Sequence, residues 1–104
     1  MDVALRAIAD GHRRAILRLV RREELPAGAI AAHFAVTRPA ISQHLRVLKE
    51  AGLVSERREG TRRLYRARPE RVAELRRFLD EFWSDRLERL RDAAEMDERA
   101  KEKG

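Results

Sequence analysis

The chain has 104 residues, a net charge of +6 and 40% charged residues but only five aromatics, which bounds it to one domain with a thin core. It has no cysteine, which excludes disulfides and thiolate metal sites. No apolar run approaches the roughly 20 residues of a membrane span, and MDVALRAIADGHRR lacks the apolar centre of a secretion signal, so a cytoplasmic protein without a membrane partner is expected.

The charge is unevenly placed. Residues 1–36 hold six Arg against four acids, residues 37–53 three basic groups against one acid, and residues 54–68 six Arg against two Glu. Residues 69–104 reverse the balance, with nine basic groups against eleven acids. Positive charge gathered in the first two thirds points to a polyanion-binding face rather than to general solubility.

In chain order, residues 3–9 (VALRAIA) predict a short helix with Val3, Ala4, Ala7 and Ile8 as its apolar positions. Asp10 suits an N-cap for a second helix, HRRAILRLVRRE, with Ile16, Leu17 and Val20 inward and Arg14, Arg18 and Arg21 outward. Pro26 opens a third, PAGAIAAHF, in which Ile30 and Phe34 lie four apart, and Ala35–Thr37 make a tight turn.

The stretch 37–52, TRPAISQHLRVLKEAG, reads as a helix marked at both ends, with Thr37 as N-cap, Pro39 in the first turn and Gly52 at the C-terminal end. Ile41, Leu45 and Leu48 share one face, while Ser42, Gln43 and Arg46 point away from it. Such a face is able to enter a major groove, with Gln43 suited to adenine, Arg46 to guanine and Ser42 to a base or a phosphate. Two short helices joined by a tight turn, the second with a polar outer face, form a helix-turn-helix.

Residues 53–68 change to a strand-like period and predict a β-hairpin turning at Glu59-Gly60, with Arg57, Arg58, Arg62 and Arg63 flanking the tip. Guanidinium groups without partners are too costly to bury, so this tip stands in solvent or against an anion, as a wing beside DNA would. Arg38 and the four wing arginines are expected to neutralise phosphates.

Pro69 ends the hairpin, and residues 70–96 predict a helix of about 27 residues, near 40 Å long. Its stripe includes Phe78, Phe82, Trp83, Leu87 and Leu90. Such a helix outruns the core before it, so a second copy of the chain is the expected cover, with Val3 and Ile8 packing alongside. Residues 1–96 then form a single winged helix-turn-helix domain, mainly α with a small β-hairpin and a long C-terminal dimerisation helix, and residues 97–104 a disordered tail.

At ISQHLRVLKEAGLVSERREGTRRLYRA, and again at ADGHRRAILRLV, the chain resembles the ArsR/SmtB family of bacterial winged helix-turn-helix repressors. The resemblance runs from about residue 5 to 90 and implies a homodimer on a pseudo-palindromic operator in double-stranded DNA, often released by an inducer. The family's thiolate motif, ELCVCDL, would fall on residues 24–30 and put Pro26 and Gly28 where its cysteines stand. Its other common site needs histidines on the closing helix, and none follows His44.

Among themselves His12, His33 and His44 share no two-ligand spacing along a helix, and a half-buried structural role is expected of His44. The pairs Glu81 with Asp85 and Glu88 with Asp92, four apart, are able to hold a hard cation weakly, but among Arg86, Arg89 and Arg91 they read first as a solvated, salt-bridged face. No high-affinity transition-metal site and no cofactor are expected. Catalysis is not expected either, since Ser42, Ser55 and Ser84 have no triad partners in view and no glycine-rich phosphate loop occurs. The signal stays open between an unliganded autorepressor, a metal or small-molecule inducer and a protein partner. The competing class, a winged-helix module that binds protein, would need apolar groups at Ser42, Gln43 and Arg46.

Overall fold

A computed structural model describes the backbone of residues 1–103, with side chains placed through Arg99. Short helices need their free amides and carbonyls satisfied, and the first two do this for each other. Helix α1 (Asp2–Ile8) ends where α2 (Gly11–Arg22) begins. The Asp10 carboxylate caps α2 by accepting from the His12 and Arg13 amides at 2.8 and 3.1 Å. Returning arginines cover the last carbonyls of α1: Arg13 donates to Ala7 O and Arg6 O, and Arg14 to Ile8 O. Arg14 is thus exposed but committed, and the amide bonds hold Asp10 below the usual carboxylate range, the Arg13 amide foremost.

Pro26 belongs to a two-residue strand, β1 (Leu25–Pro26), and only then begins α3 (Ala27–Ala31) as its N-cap. The helix expected to run to Phe34 stops earlier, because His33 and Phe34 turn back to Ile30 and Ala31 with i→i+3 bonds of 3.1 Å. The connection to the next helix is therefore residues 32–37 rather than three residues.

Helix α4 (Arg38–Glu50) has both of its expected ends. Thr37 Oγ1 accepts from the Ala40 amide at 3.3 Å. At the other end Gly52 takes φ +76°, one residue beyond the cap Ala51. Gly52 N–H donates to Lys49 O and Leu53 N–H to Leu48 O, the bond pair of a Schellman motif.

The chain then forms β2 (Val54–Glu59) and β3 (Arg62–Ala67), an antiparallel pair with Glu59 opposite Arg62. The turn is Gly60-Thr61, one residue later than expected. Gly60 has φ +60° and Thr61 has no positive φ, which identifies a type II′ turn and explains why glycine comes first. β1 adds to the far edge of β3, Leu25 opposite Tyr65, giving the sheet order β1-β3-β2.

The core is contiguous through Ala7, Ile16, Leu17, Val20, Ile30, Ile41, Leu45, Leu48, Leu53, Val54, Ala67 and Leu75. Leu75 is the only fully buried core residue from α5 (Pro69–Lys103) among the described residues, with Val72 and Leu79 half-buried beside it. α5 runs past Met96, so the residues from Asp97 expected to be disordered join the helix as far as Lys103. They are charged residues and Ala, mostly good helix formers, with no breaker among them. Gly104 lies outside the described residues. Among the described residues no helix is long and apolar enough to cross a membrane.

Candidate nucleic-acid interface

Three side chains of α4, Ile41, Leu45 and Leu48, are at most 1% exposed and fix the helix to the body. Its opposite face is thereby fixed too. Ser42, Gln43 and Arg46 are exposed on that face. Ser42 and Gln43 make no side-chain hydrogen bond among the described residues, and Arg46 holds only Glu50, 3.1 Å away and one turn on. Surface pairs of that kind contribute about 0–1 kcal/mol, so Arg46 can exchange Glu50 for a stronger anion. At the start of the helix, the Arg38 guanidinium lies over α3, where a Cβ placed on Gly28 would meet it at 3.7 Å.

The four wing arginines, equivalent in the sequence, have different surroundings. Arg57 is tied to Glu24 by contacts from both Nε and Nη2, and also to Glu59 at 3.2 Å. This fork keeps Glu24 below the usual carboxylate range and raises Arg57. Arg57 is thus a strut between the wing and the residue before β1 rather than a group standing free in solvent.

Arg63 lies 3.3 Å from Glu56, which also receives Lys49 from the end of α4 at 3.0 Å, and Arg62 lies 3.6 Å from Glu59. Glu56, 16% exposed at its side chain, thus joins the reading helix to the wing. Arg58 alone of the four makes no hydrogen bond or ion pair among the described residues. Its cross-strand neighbour is Arg63. Like charges placed directly opposite destabilise a sheet and concentrate positive potential where an anion relieves it. Glu24 and Glu56 carry no motif, and no sequence signal could have singled them out, because their partners lie on other elements.

A second exposed surface lies along α5. Phe82, Trp83, Leu87 and Leu90 are 52–59% exposed and Phe78 is 39% exposed, while Val3 on α1 is 58% exposed. Ile8 is half-buried and lines a groove with Leu17, Leu75, Leu79 and Trp83 that continues into this stripe. The Phe82 and Trp83 rings meet edge to face at 6.3 Å.

For metal, the family positions do not fit. Pro26 lies in β1 and Gly28 in α3, and neither offers a ligand atom. The histidines are another matter. The fold sets His12 beside His44, with Asp10 next to both.

The match to known proteins follows the same architecture. A helix-turn-helix domain family matches residues 8–57. The transcriptional regulator Rv2034 of Mycobacterium tuberculosis is 49% identical over 86 residues, covering 83% of this chain and 80% of its own. The transcriptional repressor SdpR of Bacillus subtilis is 43% identical over 60 residues, 58% of this chain and 67% of its own. Among solved structures, the homodimeric winged helix-turn-helix domain of Mb0332 from Mycobacterium bovis, a possible ArsR-family regulator, superposes with a TM-score of 0.67 at 36% identity. That superposition covers 81% of this chain and 78% of Mb0332. The chain belongs to the ArsR family of winged helix-turn-helix transcriptional regulators.

Proposed function

We propose that the protein is a cytoplasmic, homodimeric repressor, a binding module rather than an enzyme, that sits on a pseudo-palindromic operator in double-stranded DNA. One observation carries this reading: Ser42 and Gln43 stand exposed and unbonded on a helix whose other face is locked into the core. A polar face held rigidly and left uncommitted matches what base readout needs. Gln43 reads adenine, Arg46 guanine, and Ser42 a base or phosphate. Arg38, Arg58, Arg62 and Arg63 grip the backbone, and Arg57 acts there through its strut. Dimerisation through α5 and α1, over Val3, Ile8, Phe78, Phe82, Trp83, Leu87 and Leu90, sets the two reading helices at half-sites one helical turn or a multiple apart.

The test is selection of a preferred duplex followed by anisotropy titrations at several salt concentrations. Gln43→Ala loses about 1–3 kcal/mol on the selected sequence and almost nothing on random DNA. Arg58→Ala weakens both alike and lowers the salt slope by about 1. Identical behaviour of the two variants refutes the division between reading and gripping.

A further inference from the structure

Asp10, His12 and His44 come from the start of α2 and the middle of α4, and one ligand atom of each lies within 4.8 Å of the others. The two imidazoles stack with centroids 5.6 Å apart and planes 20° from parallel, and Phe34 approaches His12 edge-on at 6.1 Å. His12 Nδ1 is 3.9 Å from Asp10 Oδ1. That oxygen carries the helix-capping bonds, and the second carboxylate oxygen has no hydrogen bond among the described residues. His44 Nδ1 is shut away from solvent and has no hydrogen-bond partner among the described residues. A buried ring nitrogen of this kind calls for something to satisfy it. The nearby cation Arg13 does not, since its guanidinium is spent on the carbonyls of α1.

We propose that Asp10, His12 and His44 bind a divalent transition-metal ion of the zinc class, joining the recognition helix to the first turn of α2. Two imidazoles and one carboxylate suit zinc, cobalt or nickel, whereas magnesium and calcium demand oxygen ligands throughout. Zinc ligands at 2.0–2.1 Å stand roughly 3.3 Å apart around a tetrahedron, so the three atoms must draw in by up to about 1.5 Å. His12, an exposed side chain, supplies that movement by a change of rotamer. Three protein ligands leave the fourth position to water. The ion would sit one residue from Gln43, yet its binding does not depend on the DNA-reading role and is measured without DNA.

The experiment is calorimetric titration of the tag-free full-length protein with Zn²⁺, paralleled by Co²⁺ absorption in the visible. One ion per chain is expected, with the intense ligand-field bands of a tetrahedral cobalt site. His12→Ala and His44→Gln each weaken zinc at least tenfold and abolish those bands, and His33→Ala leaves both readouts unchanged. His12 is exposed, so its variant keeps the fold even if His44→Gln does not, and circular dichroism checks this. Zinc binding equal in wild type and His12→Ala, or no binding by wild type, overturns the proposal.

Discussion

Helices α4 and α5 carry the same kind of amphipathic stripe and meet opposite fates. In α4 the stripe of Ile41, Leu45 and Leu48 is covered by the chain itself, and the polar face is turned outward. In α5, among the described residues, Leu75 is covered fully and Val72 and Leu79 in part, while Phe78 and the apolar residues beyond Leu79 are presented outward. Apolar residues at helical spacing therefore say that a helix has a face to hide, and the size of the surrounding body decides whether the same chain can hide it. A body of this size covers a helix of 13 residues and not one of 35.

The sharpest way to break this contrast is Leu87→Glu. If α5 forms the dimer contact, the carboxylate is buried without a partner at roughly 3–5 kcal/mol, and symmetry introduces it twice. Sedimentation should show monomers while circular dichroism shows full helix, since Leu87 touches no core residue of its own chain. Retained dimers would place the interface elsewhere.

Leu45→Ala should do the reverse, costing about 2–5 kcal/mol of folding stability in denaturant titration, because its cavity lies inside one chain. A normal unfolding midpoint would show that α4 is not anchored as described. Gly52→Ala, next in size, forces an alanine to φ +76° and should cost about 1–2 kcal/mol by the same titration, with dimer affinity unchanged.

The smallest effect is electrostatic. Asp10 and Glu24 are held below the usual carboxylate range, so the stability they add is present above that range and is lost as pH falls through their lowered values. Melting temperature should drop on acidification below about pH 4. Glu24→Gln should blunt that drop and leave sedimentation unchanged. An unaltered acid profile would mean that the Arg57 strut adds nothing to folding.

What is legible without the structure is whatever depends on neighbours in the chain. Thr37 and Gly52 mark the ends of α4 because caps are local, and the spacing of Ile41, Leu45 and Leu48 identifies the face that is buried. The hairpin is legible to within one residue, its turn shifting to Gly60-Thr61. β1 is not, because two residues show no period and Leu25-Pro26 becomes a strand only when β3 arrives beside it. The helix through Lys103 escapes notice for the opposite reason: the sequence of residues 97–103 carries no apolar stripe, yet nothing in it stops a helix already under way.

The sequence by itself determined the main helices, the caps of α2 and α4, the polar face of α4, the basic hairpin and the excess of apolar surface on α5, since each follows from spacings within a few residues. Only the tertiary structure decided what the charged and titratable groups do. Arg57 and Arg58 are adjacent and identical, but Glu24, 33 residues from Arg57, makes one a strut, while the other has no ion pair among the described residues. His12 and His44 share no spacing along any helix and still stack, because α2 packs across α4. Coordination and ion pairing act over a few ångströms of space, and distance along a chain does not set that separation until the core has closed.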